Sequence, residues 1–444
     1  MIEWLAYHYH VINLRNLIIT ADPKCRTSPK SALDRWKDKM NIEYWEQSDY
    51  LDTSILTRKQ KSSKLEFHRH RQSTFIVKCL QEFKKRDKGW VLLSDTDEFV
   101  TINPKMRDKS DSKMYVPGLP SIREPGSIMT FLNSITIPDE RYQAFAPCIP
   151  IFRQQFSSRP STEKQIGNLV PSGFEGNDFL TLRWRKFGAK ARWFTTVLGD
   201  TCGVLRRAGP VKTVIDLSRF RIQDLYHEDV TGNPHMPVES VCSKYDVFTK
   251  EEKVGLTIFH YLGTLPQWTY RVTDTRGAGY RNARFEDMNE NIGLWESDEL
   301  REWLAGFVEQ VGIDEAKRLL KDVGKLEPLS NNDALDSSSV VTTEQQTTPS
   351  YKVGDIVLAN WRGHGEWYWA HVTRVFDSGF YNVILIEDCT EDLGVSAARL
   401  KNYSDDISKI NVGTEYNFHN YRALMQQAAK AQSKQKFSVG YSED

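Results

Sequence analysis

The chain has 444 residues, and its 59 Lys and Arg balance its 59 Asp and Glu, so the formal net charge is zero. That balance argues against a strongly basic nucleic-acid binder and against an acidic solvating tail, so no nucleic acid is expected as a partner. Hydrophobic residues make up 39% and charged residues 27%, enough for a core over most of the chain and, at roughly 100–200 residues per domain, for two or three domains.

From the N-terminus, Glu3–His10 reads as an amphipathic helix and Leu17–Thr20 as a short strand ended by Asp22-Pro23. Ser28-Pro29 opens a second helix running to Met40, with Pro near the favoured first-turn position. Asn41–Trp45 reads as a strand. Leu65–Arg86 is a long helix with Phe75, Ile76, Cys79, Leu80 and Phe83 on one stripe, and Gly89 breaks it. Trp90–Leu93 then reads as a buried strand. Strands alternating with helices predict a parallel sheet in an α/β layer fold. Phe179–Phe187 is expected to be helical, and 295–323 to form one or two helices. The stretch 326–350 is polar and low in aromatics, a flexible linker. Short alternating strands return at Asp355–Asn360, Glu366–Phe376 and Tyr381–Glu387, the pattern of a small β-barrel over 351–402. The tail 403–444 is polar, with a helix near 420–432.

No apolar run approaches the roughly 18 residues that span a bilayer, and Met1-Ile2-Glu3-Trp4 lacks the start of a signal peptide, so the sequence as written reads as soluble. The six cysteines are scattered without a Cys-x-x-Cys pair, which favours mostly buried, reduced thiols over a disulfide scaffold and leaves a few bridges open for a secretory compartment. Phosphate-cradling glycine loops, the His-Glu-x-x-His zinc motif and the Gly-x-Ser-x-Gly nucleophile motif do not occur. His8/His10 and His68/His70 are spaced two apart on helices and diverge, so zinc is not expected there.

The stretch Trp90–Phe99, WVLLSDTDEF, carries the most chemistry. A strand delivers Asp95 and Asp97 at its C-terminal end, where open α/β sheets bind ligands. Residues two apart in extended geometry point the same way, so both carboxylates can face one cation. Mn²⁺ or Mg²⁺ bridges such carboxylates to phosphate oxygens. The bland alternative is a turn or helix cap.

With these residues in order, the chain resembles GT-A glycosyltransferases, in particular glycosyltransferase family 92 and the related family 2-like group, over about residues 1–290. The likeness runs from the opening Glu3–His8 segment through Leu17–Thr20, the long helix and SDTDEF. Arg183–Gly188 resembles the group's Trp-x-x-Phe-Gly element, Lys212 with His227 its Lys…His pattern, and Phe259-His260-Tyr261 its His-Tyr element. The resemblance implies a GT-A-like (Rossmann-like) mixed sheet flanked by helices over 1–325. It also implies metal-dependent, inverting transfer of a sugar from a nucleotide-sugar such as UDP-galactose to a glycan or glycoprotein acceptor. Asp95 and Asp97 would hold Mn²⁺ or Mg²⁺, with His260 as an added metal ligand. Asp95, Lys212 and His227 would meet the donor, Arg185 being a further phosphate candidate. Asp178 or Glu175, just before a helix, would be the base; Asp178 as an N-cap alone is the other reading. GT-A domains open with a nucleotide-binding strand that this chain lacks ahead of Glu3–His10. Either the start is truncated or the enzyme is incomplete; a missing upstream segment could also carry a Golgi-type membrane anchor, which leaves localisation open.

Residues 351–402 resemble a Tudor domain, carried by Gly354-Asp355, Trp361, Trp367–Ala370 and Asp388. The resemblance implies an aromatic cage for methylated Lys or Arg on a protein partner. Trp361 and Tyr368 match cage positions and Tyr381 is a substitute candidate. The positions near Ile386 and Asp388, where further aromatics are expected, are not aromatic, and the aromatics present are also what the core of so small a domain needs.

Overall fold

The computed structural model describes residues 1–22, 25, 27–52, 64–110, 115–135, 147–160, 170–186, 192–195, 201–204, 212–226, 242, 255–261, 263–270, 285, 297, 299–325, 351–360, 367–376, 379–385 and 391–402. The linker at 326–350, the tail at 403–444, His227 and Trp361 lie outside them. The chain forms two compact units. One comprises Met1–Gly188, Arg207–Thr275 and Met288–Asn331; the other comprises Ala189–Arg206, Arg276–Asp287 and Asn332–Asp444.

The first unit opens with α1 (Ile2–Val11), β1 (Asn16–Ile19) and β2 (Asn41–Tyr44), followed by α2 (Lys64–Lys85), β3 (Trp90–Leu92) and β4 (Glu98–Ile102). Next come α3 (Ser127–Ile135), β5 (Cys148–Pro160), α4 (Leu180–Arg183) and β6 (Trp184–Lys186). The second unit contributes β7 (Arg192–Thr195) and β8 (Thr201–Val204). The first unit resumes with β9 (Lys212–Asp216), β10 (Leu256–Tyr261), α5 (Trp303–Val311) and α6 (Ile313–Leu319). Gly312, at φ 85°, adopts the left-handed conformation that ends α5 and lets α6 start in a new direction.

The expected amphipathic helix at the N-terminus is instead enclosed. In α1 Glu3 through His8, His10 and Val11 are all buried. Its polar atoms must therefore find protein partners. The Trp4 indole N–H donates to the Glu98 carbonyl at 2.9 Å and the Tyr7 hydroxyl to the Val100 carbonyl at 2.7 Å. His8 Nδ1–H donates to the Trp4 carbonyl at 2.9 Å and Nε2 faces the Val100 N–H at 3.5 Å. A carbonyl only accepts, so this pair of contacts selects one neutral tautomer. Burial lowers the His8 pKa to about 3. On the far side α5 stacks aromatics against α1, with Tyr7 edge-on to Trp303 at 5.5 Å. Gly306 leaves no room for a side chain: a Cβ there would meet the Arg123 carbonyl and lie 2.8 Å from His10 Nε2.

The main sheet runs β3–β9–β5–β10–β4, with β6 also paired to β5. It is mixed. Only β5 and β10 run parallel within it, through registers such as Gln154↔Phe259; β3/β9, β9/β5, β10/β4 and β5/β6 are antiparallel. The all-parallel expectation fails because β3 runs through a tight turn into β4 rather than into a crossover helix. A separate parallel pair joins β1 to β2. β3 is buried only at Val91, whereas β4, β9 and β10 are buried along their whole length. The helix expected over Phe179–Phe187 is a single turn at α4, after which β6 pairs with β5. The second expected helix stops at Asp34 rather than Met40.

Cys148 and Cys242 form a disulfide, correcting the expectation of reduced thiols at these positions; both are fully buried in a second core with Ile76, Leu80, Ile215 and Leu217. Cys25 and Cys79 are free, the latter buried.

The second unit contains a curled antiparallel sheet, β14–β13–β12–β11–β15, from β11 (Ile356–Asn360), β12 (Trp367–Val375), β13 (Phe380–Leu385), β14 (Glu391–Ser396) and β15 (Leu400–Asn402). A register shift between Val372 and Arg374 bends β12. One face packs Val357, Ala370, Val372, Val383 and Val395 into a core. Tyr381 belongs to that core, 1% exposed, with its ring edge-on to Tyr351 at 5.3 Å, so it fills the interior rather than a surface cage. Tyr368 is half-buried against the same core.

Candidate functional site

The acidic motif forms the turn between β3 and β4. The Glu98 N–H donates to the Asp95 carbonyl at 3.1 Å, and the Asp95 N–H returns to Glu98 Oε2 at 3.0 Å. The Tyr261 N–H takes the Asp97 carbonyl at 3.1 Å, tying the turn to β10. The result leaves the Asp95 side chain 47% exposed and the Asp97 side chain 19% exposed, while Glu98 is fully buried beneath them.

Sheet register explains which side chains meet this turn. β9 runs antiparallel to β3 with Leu92 opposite Val214, so two further steps bring Lys212 beside Ser94, next to Asp95. Lys212 also faces Ile151 on β5, and Arg153 follows two residues later on the same face. His260 on β10 pairs directly with Glu98 on β4. Charged side chains from β4, β5, β9 and β10 thus converge at one end of the sheet.

Lys212 Nζ lies 3.0 Å from Asp95 Oδ2 and 3.1 Å from Glu98 Oε2. Arg153 Nη1 lies 3.5 Å from Glu98 Oε1, and His260 Nε2 3.3 Å from Asp97 Oδ2. Three carboxylates therefore face two permanent cations and an imidazole. Burial would lower the Lys212 pKa, but Asp95 and Glu98 hold it above its ordinary value, so this ammonium stays charged. Burial raises the Glu98 carboxyl, opposed by Lys212. His260 Nδ1 and Arg153 Nε are buried without a hydrogen-bond partner, polar atoms that a water or ligand could satisfy.

Asp95 and Asp97 lie on one turn, Asp95 open to solvent and Asp97 largely enclosed, and carboxylate oxygens are the ligands that Mn²⁺ and Mg²⁺ prefer. Among the described residues, no three His, Cys, Asp or Glu side chains converge on one metal position. A cation held by these two carboxylates would need water or phosphate oxygens for the rest of its shell.

The expected base residues sit on a different element. Gly176–Asp178 is a short 3₁₀ turn ahead of α4, with Glu175 exposed and Asp178 half-buried. The carboxylate that caps α4 is Glu3, not Asp178. Glu3 accepts the Leu180 N–H at 2.7 Å, the Thr181 N–H at 3.0 Å and the Thr181 hydroxyl at 2.6 Å. The Trp303 indole N–H in turn donates to Thr181 Oγ1 at 2.8 Å. Since Trp4 binds the Glu98 carbonyl, two consecutive residues of α1 link the start of α4 to the acidic turn. The Arg185 side chain and His227 lie outside what is described.

Sequence reasoning missed Glu98 and Arg153. Glu98 was visible as the third acid of Asp95-Thr-Asp97-Glu98, with a hydrophobic strand following it. Arg153 carries no local signal, because its role depends on which strands are neighbours.

Comparison with protein-family models, with characterised proteins and with solved structures finds no match to this chain.

Proposed function

We propose that the first unit is a metal-dependent glycosyltransferase domain that takes a UDP-sugar, such as UDP-galactose, and transfers the sugar to a glycan or glycoprotein acceptor with inversion. The observation carrying this reading is the turn itself. It presents an exposed Asp95 beside Asp97 over a buried array of Lys212, Glu98, Arg153 and His260. A divalent ion there would supply Lewis-acid stabilisation to the departing diphosphate. In this reading Asp95 and Asp97 hold the cation, His260 orients or joins the Asp97 carboxylate, and Lys212 meets phosphate. His227 and Arg185 are further donor contacts from the family resemblance. Asp178 or Glu175 takes the acceptor hydroxyl proton as general base. The Cys148–Cys242 disulfide supports folding in an oxidising, secretory compartment, where Golgi-type transferases work.

A second reading is a catalytically degenerate scaffold whose Tudor-like sheet binds a protein partner. It is favoured by the direct pairing of Asp95 with Lys212, which occupies the carboxylate the cation would need. Slow Mn²⁺-dependent release of UDP from UDP-sugars, followed by product chromatography, separates the two. Release that falls at least about a hundredfold in Asp95→Asn supports the transferase. A folded wild-type chain that releases no UDP from any UDP-sugar supports the scaffold. Hydrolysis of simple phosphate esters without sugar transfer would indicate a different metal-dependent phosphate chemistry.

A further inference from the structure

Given the nucleotide-sugar site proposed above, we propose that Lys212 makes cation binding at Asp95 conditional on the diphosphate, so that a divalent ion and a nucleoside diphosphate are taken up as a coupled pair. Lys212 is 2% exposed and its ammonium is held between Asp95 Oδ2 at 3.0 Å and Glu98 Oε2 at 3.1 Å. It cannot swing into solvent without abandoning the fully buried Glu98. A divalent ion arriving alone at Asp95 therefore meets a fixed positive charge on the same carboxylate, at a separation where like charges repel strongly. A diphosphate changes the sign of that encounter. Its oxygens ligate the ion and also accept from the ammonium, which has three donors and uses two on the carboxylates. Both cations then share one anion. Arg153, behind Glu98, keeps that carboxylate balanced if Lys212 leans towards phosphate. Among the described residues no group of three His, Cys, Asp or Glu side chains is set to hold a metal, which acts in the same direction, because an ion alone would lean on water for most of its shell.

The test uses the full chain, Mn²⁺ and UDP. Free Mn²⁺ is followed by electron paramagnetic resonance with and without UDP, and UDP binding by calorimetry with and without Mn²⁺, the intrinsic Mn²⁺–UDP association being subtracted from both. The wild type is expected to hold Mn²⁺ alone no tighter than about millimolar. UDP should then tighten Mn²⁺, and Mn²⁺ tighten UDP, by the same factor of at least about ten. In Lys212→Met, Mn²⁺ alone should bind more tightly than in the wild type while the coupling drops to about threefold or less. Lys212→Gln should behave as Lys212→Met does, and Lys212→Arg should keep the coupling. A Lys212 that serves only to hold the fold would weaken both ligands and leave their coupling unchanged, which overturns the proposal. Micromolar binding of Mn²⁺ alone to the wild type overturns it without any variant, so a neutral substitution that fails to fold does not protect it. A wild type that binds Mn²⁺ and UDP independently removes this coupling but leaves the nucleotide site standing. A wild type that binds neither removes both.

Discussion

Replacing Cys148 and Cys242 by serine or alanine tests how the first unit is held together. The bond closes a loop with a sequence separation of 94 residues. Chain-entropy arithmetic for a loop of that length gives about 4.7 kcal/mol of stabilisation through the unfolded state, and observed values centre lower, at about 2–4 kcal/mol. Both cysteines are fully buried among Ile76, Leu80, Ile215, Leu217 and Phe220. Serine would add the cost of two buried hydroxyls, so Cys148→Ala/Cys242→Ala isolates the cross-link more cleanly. The assay is urea unfolding of wild type and double variant, each with and without reductant. The wild type should lose about 2–5 kcal/mol on reduction. The double variant should start near the reduced wild type and ignore reductant. Equal stability of all four samples would refute the cross-link. Loss in the variant alone, with no response of the wild type to reductant, would show that packing of the sulfur atoms matters and the bond does not.

Three further predictions concern the frame around the site. Gly306→Ala forces a Cβ against the Arg123 carbonyl oxygen and to within 2.8 Å of His10 Nε2. It should cost about 2–3 kcal/mol in chemical denaturation, and an unchanged midpoint would contradict the close approach of α5. Glu3→Ala strands the Leu180 and Thr181 N–H groups at the buried start of α4 and should cost about 3 kcal/mol. Weakened UDP binding is expected to accompany it if α1 positions the acidic turn, whereas loss of stability with full UDP affinity would confine Glu3 to the fold. His8 titrates at about 3 in the folded chain against about 6.5 when unfolded, so the unfolded state binds more protons and stability falls as pH drops through that window. Its share of the loss should reach about 2 kcal/mol by pH 5, and His10, lowered by burial, acts with the same sign. Glu3 and Glu299, raised by burial, act oppositely as pH falls towards 4.5, so the comparison is between wild type and His8→Gln. The acid loss between pH 6.5 and 5 should shrink in the variant, and parallel melting curves would contradict a neutral buried His8.

How much of this was legible in the sequence depended on how local each signal was. The strand at Trp90, the long helix of α2 and the strands of the small sheet are all local patterns, and the structure contains them. Asp95 and Asp97 were expected on the extended end of the strand, but β3 ends at Leu92 and they lie on a turn closed by the Glu98 N–H on the Asp95 carbonyl. Enclosure of α1 was not legible. Its Trp, Tyr and His side chains look like a polar face until the carbonyls of Glu98 and Val100 on β4 are placed beside them. The antiparallel neighbours of β3 and β5, and with them Arg153, follow from strand order, which periodicity does not encode. Cys148 and Cys242 are too far apart in sequence for spacing to pair them. Glu98 was the avoidable omission, since an acid opening the mostly apolar run Phe99–Ile102 is drawn into the core with it and must then be paired.

A turn at Asp95–Glu98 that holds a nucleotide-sugar through a divalent cation must lose the nucleotide when either the ion or its carboxylates are removed. Calorimetry of UDP into the full chain with Mn²⁺, for wild type and for Asp95→Asn/Asp97→Asn, tests it most directly. Saturable binding to the wild type is expected that disappears when Mn²⁺ is chelated and falls at least about a hundredfold in the double variant, whose fold is checked by circular dichroism because Asp97 is largely enclosed and Asp95 pairs with the buried Lys212. Binding of equal strength in the folded double variant, or none in the folded wild type, would contradict it.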